Sequence, residues 1–133
     1  MYAQIAEMRF AFAVTELLKI HDGLIKQISD FCMNVGEDLG TVILDNPEEI
    51  YSYIDSIVLD GMAGVETKQI IEKSSDKLVI KKLIDIHEAP WKKAGGKLEI
   101  YYELQKSFIN GLIKKSGYKY EAEGGEIFTL TRM

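Results

Sequence analysis

Cysteine, proline and tryptophan are all scarce in this chain of 133 residues, which has one Cys, two Pro and one Trp. A lone Cys32 cannot close an internal disulfide. It sits within an apolar helical pattern, so it reads as a small buried hydrophobe in a reducing compartment rather than a reactive thiol. Long apolar runs are absent as well: "FAFAV" and "LVI" fall far short of the ~20 residues that span a bilayer, so no membrane role is expected. The opening "MYAQIAEMRF" contains Glu7 and has no basic start followed by an apolar block, which argues against a secretory signal and for the cytoplasm. Basic charge is in deficit, with 16 Lys and Arg against 21 Asp and Glu. The lysines are dispersed among acids, and duplex nucleic acid, whose phosphates require clustered cations, is not an expected partner.

Several catalytic signatures are missing too. The chain has no G-x-G-x-x-G or Walker loop and no nucleophile elbow, and "GMAG" and "AGGK" are short enough to be turns. His21, His87 and Cys32 have none of the tight spacings of a zinc site. No cofactor is therefore identified. Repeats, low-complexity tracts and linkers are also absent, which leaves a single domain over residues 1–133. With 47% hydrophobic and 28% charged residues, a domain of this length buries roughly 65–70% of its unfolded surface.

Periodicity predicts the elements. Ile5, Met8, Phe12, Val14, Leu17 and Leu18 mark a first helix to about Ile20, apolar over more than one stripe, which is either deeply buried or packed against a second chain. "HDG" at 21–23 breaks it and separates residues 1–21 from a core of 22–133. Leu24, Ile28, Phe31, Val35 and Leu39 then give a second helix. "LDNPEE" starts a third, with Asn46 as N-cap, Pro47 in the first turn and Glu49 facing the dipole; Ile50, Ile54, Ile57 and Val58 form its buried face and Gly61 its stop. Two strands, 65–73 and 77–87, flank the turn "SSD". A fourth helix spans about Leu98 to Lys115 with Tyr101, Leu104, Phe108 and Leu112 as its stripe, and Gly117 caps it. "YKYEAEGGEIFTLTR" is a hairpin turning at Gly124 and Gly125. This order predicts an α+β fold in which N-terminal helices are followed by hairpin, helix and hairpin, forming a four-stranded antiparallel sheet packed on helices.

"IDIHEAPWKKAGGK", residues 84–97, holds the only Trp, one His and one Pro. It reads either as a strand-to-helix crossing whose Trp91 plugs the end of the core, or as a lid in which Trp91 closes a pocket and His87 supplies a hydrogen bond, a proton or an axial ligand. Glu99 and Glu103, four apart with Tyr102 beside them, are a carboxylate pair of the kind that divides acid and base roles, although Lys106 makes a solvated face the ordinary explanation.

"GMAGVETKQI", "YYELQKSFINGLIKKSGYKYEAE" with its F-x-x-G at Phe108 to Gly111, and "EGGEIFTL", together with the order of elements, resemble the 4-vinyl reductase, or hydrocarbon-binding, domain, whose fold is shared with small subunits of the TRAPP trafficking complex. The likeness covers about residues 22–132. Family members often carry Cys at the start of the last helix and in the final strand; here Ile127 takes the latter place and Leu98 to Tyr102 contains no Cys, so no cysteine chemistry carries over. The resemblance implies a pocket between helices and sheet, often in a dimer, that admits an apolar or aromatic ligand. The function expected is thus a homodimeric small-molecule-binding domain, with a sensing role and Phe31, Val35, Ile54, Tyr101, Leu104 and Phe108 in the pocket and His87 and Trp91 at its rim. Two other readings stay open: an assembly module without ligand, and an enzyme using His87 as acid or base.

Overall fold

The computed structural model describes residues 2–58 and 67–133. Three helices come first: α1 (Tyr2–Ile20), α2 (Leu24–Leu39) and α3 (Pro47–Ile57). A hairpin of β1 (Lys68–Lys73) and β2 (Lys77–Lys82) follows, then a short α4 (Glu88–Lys93), the long α5 (Leu98–Leu112), a 3-10 turn at Lys114–Ser116, and a second hairpin of β3 (Tyr118–Glu123) and β4 (Ile127–Arg132). All strand pairs are antiparallel in the order β1-β2-β4-β3, so the α+β fold with a four-stranded antiparallel sheet is as the patterning predicts. The expected Gly61 stop, the start of the first strand at Val65 and the "GMAG" segment lie outside the described residues.

Local chemistry accounts for many of the boundaries. The Asn46 side chain accepts from the backbone N–H of Glu48 (2.8 Å) and of Glu49 (3.4 Å), and Pro47 occupies the first helical position, where a missing N–H costs nothing. Gly117 takes φ +72° to end the 3-10 turn, and Gly124 and Gly125 take φ +62° and +73°, which matches the right-handed twist of the second hairpin. The edge strand β3 is hooked to α5 by Asn110, whose side chain accepts from Tyr120 N–H (2.8 Å) and donates to Tyr120 C=O (2.9 Å).

Two expectations are corrected. The second strand stops at Lys82 and does not reach His87, and Ile84 beyond its end is 43% exposed. The Asp85 carboxylate accepts from the backbone N–H of His87 (2.8 Å) and Glu88 (3.2 Å), which bends the chain into α4. Pro90 is tolerated there because it lies in the first turn. Helix α2 likewise does not bury the stripe its apolar residues predict: Phe31 is 67% and Leu39 52% exposed, and the surface facing α5 is instead Ser29, Met33, Gly36 and Gly40. A Cβ on Gly36 would stand 2.2 Å from Phe108 O, one on Gly40 2.2 Å from Leu112 O, and one on Gly111 2.1 Å from Met33 O. The two helices touch backbone to backbone through these glycines, and the Ser29 and Ser107 hydroxyls hydrogen-bond across the same seam.

Two apolar clusters form among the described residues. The larger lies between the sheet and helices α3 and α5, around Ile50, Ile54, Leu78, Ile80, Ile109, Leu112, Tyr118, Phe128 and Leu130. The smaller joins α1 to α4 and α5 through Ala11, Val14, Trp91 and Leu104, with Ile25, Ile28 and Cys32 of α2 packed on it. Burial pushes the Cys32 thiol pKa up, as fits a packed rather than a reactive cysteine.

Candidate functional site

A groove of about 670 Å³ opens where α5, the segment following β2, and the β3–β4 turn converge. One wall is α5, which contributes Leu98, Glu99, Tyr102, Glu103 and Lys106; the others come from Leu83, Asp85 and Glu88 and from Ala122, Gly124, Gly125 and Glu126. A Cβ at Gly125 would lie 3.8 Å from the Tyr102 ring and 3.9 Å from Lys82 Nζ, so the hairpin turn stands directly over these two groups.

Lys82, Asp85 and Tyr102 form a closed triangle on the groove wall. Lys82 Nζ donates to Asp85 Oδ2 at 2.6 Å and to the Tyr102 hydroxyl at 2.9 Å, and that hydroxyl donates to the same Asp85 Oδ2 at 2.9 Å. The ammonium also lies 4.5 Å from the centroid of the Tyr102 ring. Only 14% of the Lys82 and 12% of the Asp85 side chain is exposed, so the pair is far from an ordinary surface ion pair. Burial, the largest single influence on Asp85, would raise its pKa. The hydrogen bonds from Lys82, His87 N–H and Tyr102, and the lysine's charge, together outweigh it and hold the carboxyl below its ordinary value.

That depression makes stability depend on pH. A carboxylate held below its unfolded pKa of ~3.9 stabilises the fold above that pH, and the contribution is lost as pH falls through the folded value. Asp85→Asn is expected to cost about 1–3 kcal/mol at neutral pH and to flatten the fall in stability below pH ~4. Urea denaturation across that range measures both; an acid limb as steep as that of the wild type would show that Asp85 is not its source.

On the far side of Tyr102 a second polar chain runs through the smaller cluster. His87, 4% exposed, has Nδ1 at 2.6 Å from Glu7 Oε1 and Nε2 at 3.2 Å from the Tyr101 hydroxyl, while Gln105 Nε2 donates to that hydroxyl at 3.0 Å. The arrangement in which Nδ1–H donates to Glu7 and Nε2 accepts from Tyr101 satisfies every one of these contacts. The His87 ring also stacks on Tyr101, with centroids 4.2 Å apart. The chain therefore fastens α1 to α4 and α5. His87 borders a cavity of about 10 Å³ lined also by Tyr102, Lys82 and Phe128 among others, room for about one water molecule.

The eight residues expected at a pocket are distributed differently. Ile54 is buried in the larger cluster, and Phe108 packs against it. Trp91 and Leu104 are buried in the smaller one, and Tyr101 touches both. Val35 is half-buried and Phe31 exposed on α2. None of the eight lines the groove, and His87 stands behind it. Glu99, Tyr102 and Glu103, visible in the sequence as a carboxylate pair flanking a tyrosine, do line it, with Glu103 also 3.3 Å from Lys106. Lys82 and Asp85 escaped sequence reasoning, because an extended strand through 77–87 sets them on opposite faces, and only the turn after Lys82 brings them together. Among the described residues no three His, Cys, Asp or Glu side chains converge as a metal site, and no helix is long and apolar enough to cross a membrane. Comparisons with protein-family models, with curated proteins and with solved structures give no match to this chain, so the likeness to the 4-vinyl reductase domain rests on the sequence stretches quoted above.

Proposed function

We propose that the chain is a small-molecule-binding domain, and that its ligand sits in the groove beside Tyr102. The observation that carries this reading is the Lys82–Asp85–Tyr102 triangle, an almost buried ammonium held in place at a concave surface. Two of its three N–H groups are taken by Asp85 and Tyr102, which leaves one donor for a ligand acceptor. Tyr102, Leu98, Leu83 and Ala122 offer an apolar and aromatic surface, while Glu88, Glu99, Glu103 and Glu126 place carboxylates around it. A ligand with an aromatic or apolar body, one acceptor and one amino group meets all three features.

Native mass spectrometry and an absorption spectrum of protein purified without added ligand would detect a retained occupant. A panel of aromatic amines and aromatic amino acids, followed by the amide shifts of Glu99, Tyr102 and Gly125, would locate weak binders. The expected result is binding that moves these amides and weakens about five- to tenfold in Tyr102→Phe, which removes the hydroxyl that holds the Lys82 ammonium in place. The absence of both a retained mass and any panel member that acts on the groove would overturn the reading in favour of an assembly module.

A further inference from the structure

The face of α1 that points away from the domain is as apolar as the face it buries. Ala11, Val14 and Thr15 are buried inward and Leu18 packs beside them, whereas Ile5, Phe10, Phe12, Leu17 and Ile20 are all exposed, Phe12 at 56% and Ile20 at 80%. At ~100° per residue, Ile5, Arg9, Phe12, Ala13, Glu16 and Ile20 form a seam on the side of the helix opposite Ala11 and Leu18.

We propose that this seam pairs with the same seam of a second copy, antiparallel, about a twofold axis passing between Phe12 and Ala13. The order of residues along it is complementary to its own reverse. Around that axis Ile5 meets Ile20 of the second copy, Arg9 meets Glu16, and the large Phe12 meets the small Ala13, each pair occurring twice. The charge match selects a second copy as the occupant: the seam carries one cation and one anion equidistant from its centre, and reversal superposes each on the other. Glu16, which also pairs with Lys19 of its own helix at 2.9 Å, keeps 46% of its side chain exposed and accessible to a second cation. A lipid surface fits less well, since it would have to take up the Glu16 carboxylate in the middle of the apolar face. The four-, three- and four-residue steps from Ile5 through Arg9 and Phe12 to Glu16 are those of helices packed side by side.

Sedimentation velocity of the full chain, from micromolar to submillimolar concentration, tests the pairing. Wild-type protein is expected to dimerise. R9E and E16R each place like charges together twice, and each should weaken the dimer at least about tenfold. An equimolar mixture of R9E with E16R should form a heterodimer of near wild-type affinity, because both contacts are then complementary, and circular dichroism of each variant checks that α1 remains helical. A wild-type monomer throughout the range overturns the proposal, and its binding to vesicles of anionic phospholipid would assign the face to a membrane surface instead. A dimer indifferent to both reversals, or a mixture no tighter than its parents, overturns this pairing as well. None of these outcomes depends on the groove.

Discussion

Gly111→Ala is expected to lower the unfolding free energy by about 3 kcal/mol, the upper part of the range for overpacking a close-fitting interior. On an exposed helix the same change would be favourable by about 1 kcal/mol, because alanine is the better helix former. Here the sign reverses: the new methyl would stand 2.1 Å from Met33 O and 3.0 Å from Glu37 N, both backbone atoms of α2 that no rotamer change can move aside. Helices α2 and α5 would have to separate, and the Ser29–Ser107 hydrogen bond would be lost with them. Gly36→Ala should behave alike, since its methyl meets Phe108 O at 2.2 Å from the other side. Together the two should cost less than the sum of their separate effects, because one separation relieves both contacts. Chemical denaturation of the two single variants and the double variant decides it; a Gly111→Ala protein as stable as the wild type would mean that the helices are not in backbone contact.

Trp91→Ala should cost about 3–5 kcal/mol, as removal of a buried aromatic does. Trp91 is completely buried between α1 and α5, contacting Phe10 edge-on at 6.2 Å and Tyr101 at 5.7 Å between ring centroids. Gly96 lies so close against it that a Cβ there would come within 2.9 Å of the indole. The void would weaken the attachment of α1 more than the sheet, since α1 rests mainly on α4, Leu104 and the Glu7–His87 contact. Amide hydrogen exchange should therefore accelerate more along α1 than along β2 or β4. Uniform acceleration over the whole chain would show instead that the two clusters unfold as one. Trp91→Phe should be far milder, because it retains most of the volume and removes an indole N–H that has no hydrogen-bond partner among the described residues.

The crossing at residues 84–97 shows how far sequence reasoning reaches. A plug formed by Trp91 was legible, since a lone large aromatic beside a proline and two glycines is conspicuous. The helix containing it was not. Residues 77–87 carry the β-branched and apolar composition of a strand, and what ends that strand at Lys82 is the Asp85 side chain capping its own backbone two and three residues on. Such a cap competes with the ladder by a few kcal/mol at most, too little to stand out in a pattern of side-chain types.

The second helix gives the complementary case. Its apolar residues pointed to Phe31 and Leu39 as core, whereas the face against α5 is made by residues with little or no side chain. Hydrophobic periodicity registers side chains that bury area. It is silent where burial is achieved by backbone against backbone, and a glycine there looks no different from one in a turn.

By itself the sequence determined the α+β class, the order of the main elements, both hairpins, the cap at Asn46 and the glycine turns at Gly117, Gly124 and Gly125, all of which depend on interactions within a few residues. Only the tertiary structure decided that Lys82, Asp85 and Tyr102 meet, that Glu7 reaches His87 across 80 residues, and that α1 keeps an apolar face outward. Those outcomes depend on where separate elements come to rest against one another. Local propensity leaves that open, and packing of the whole chain settles it.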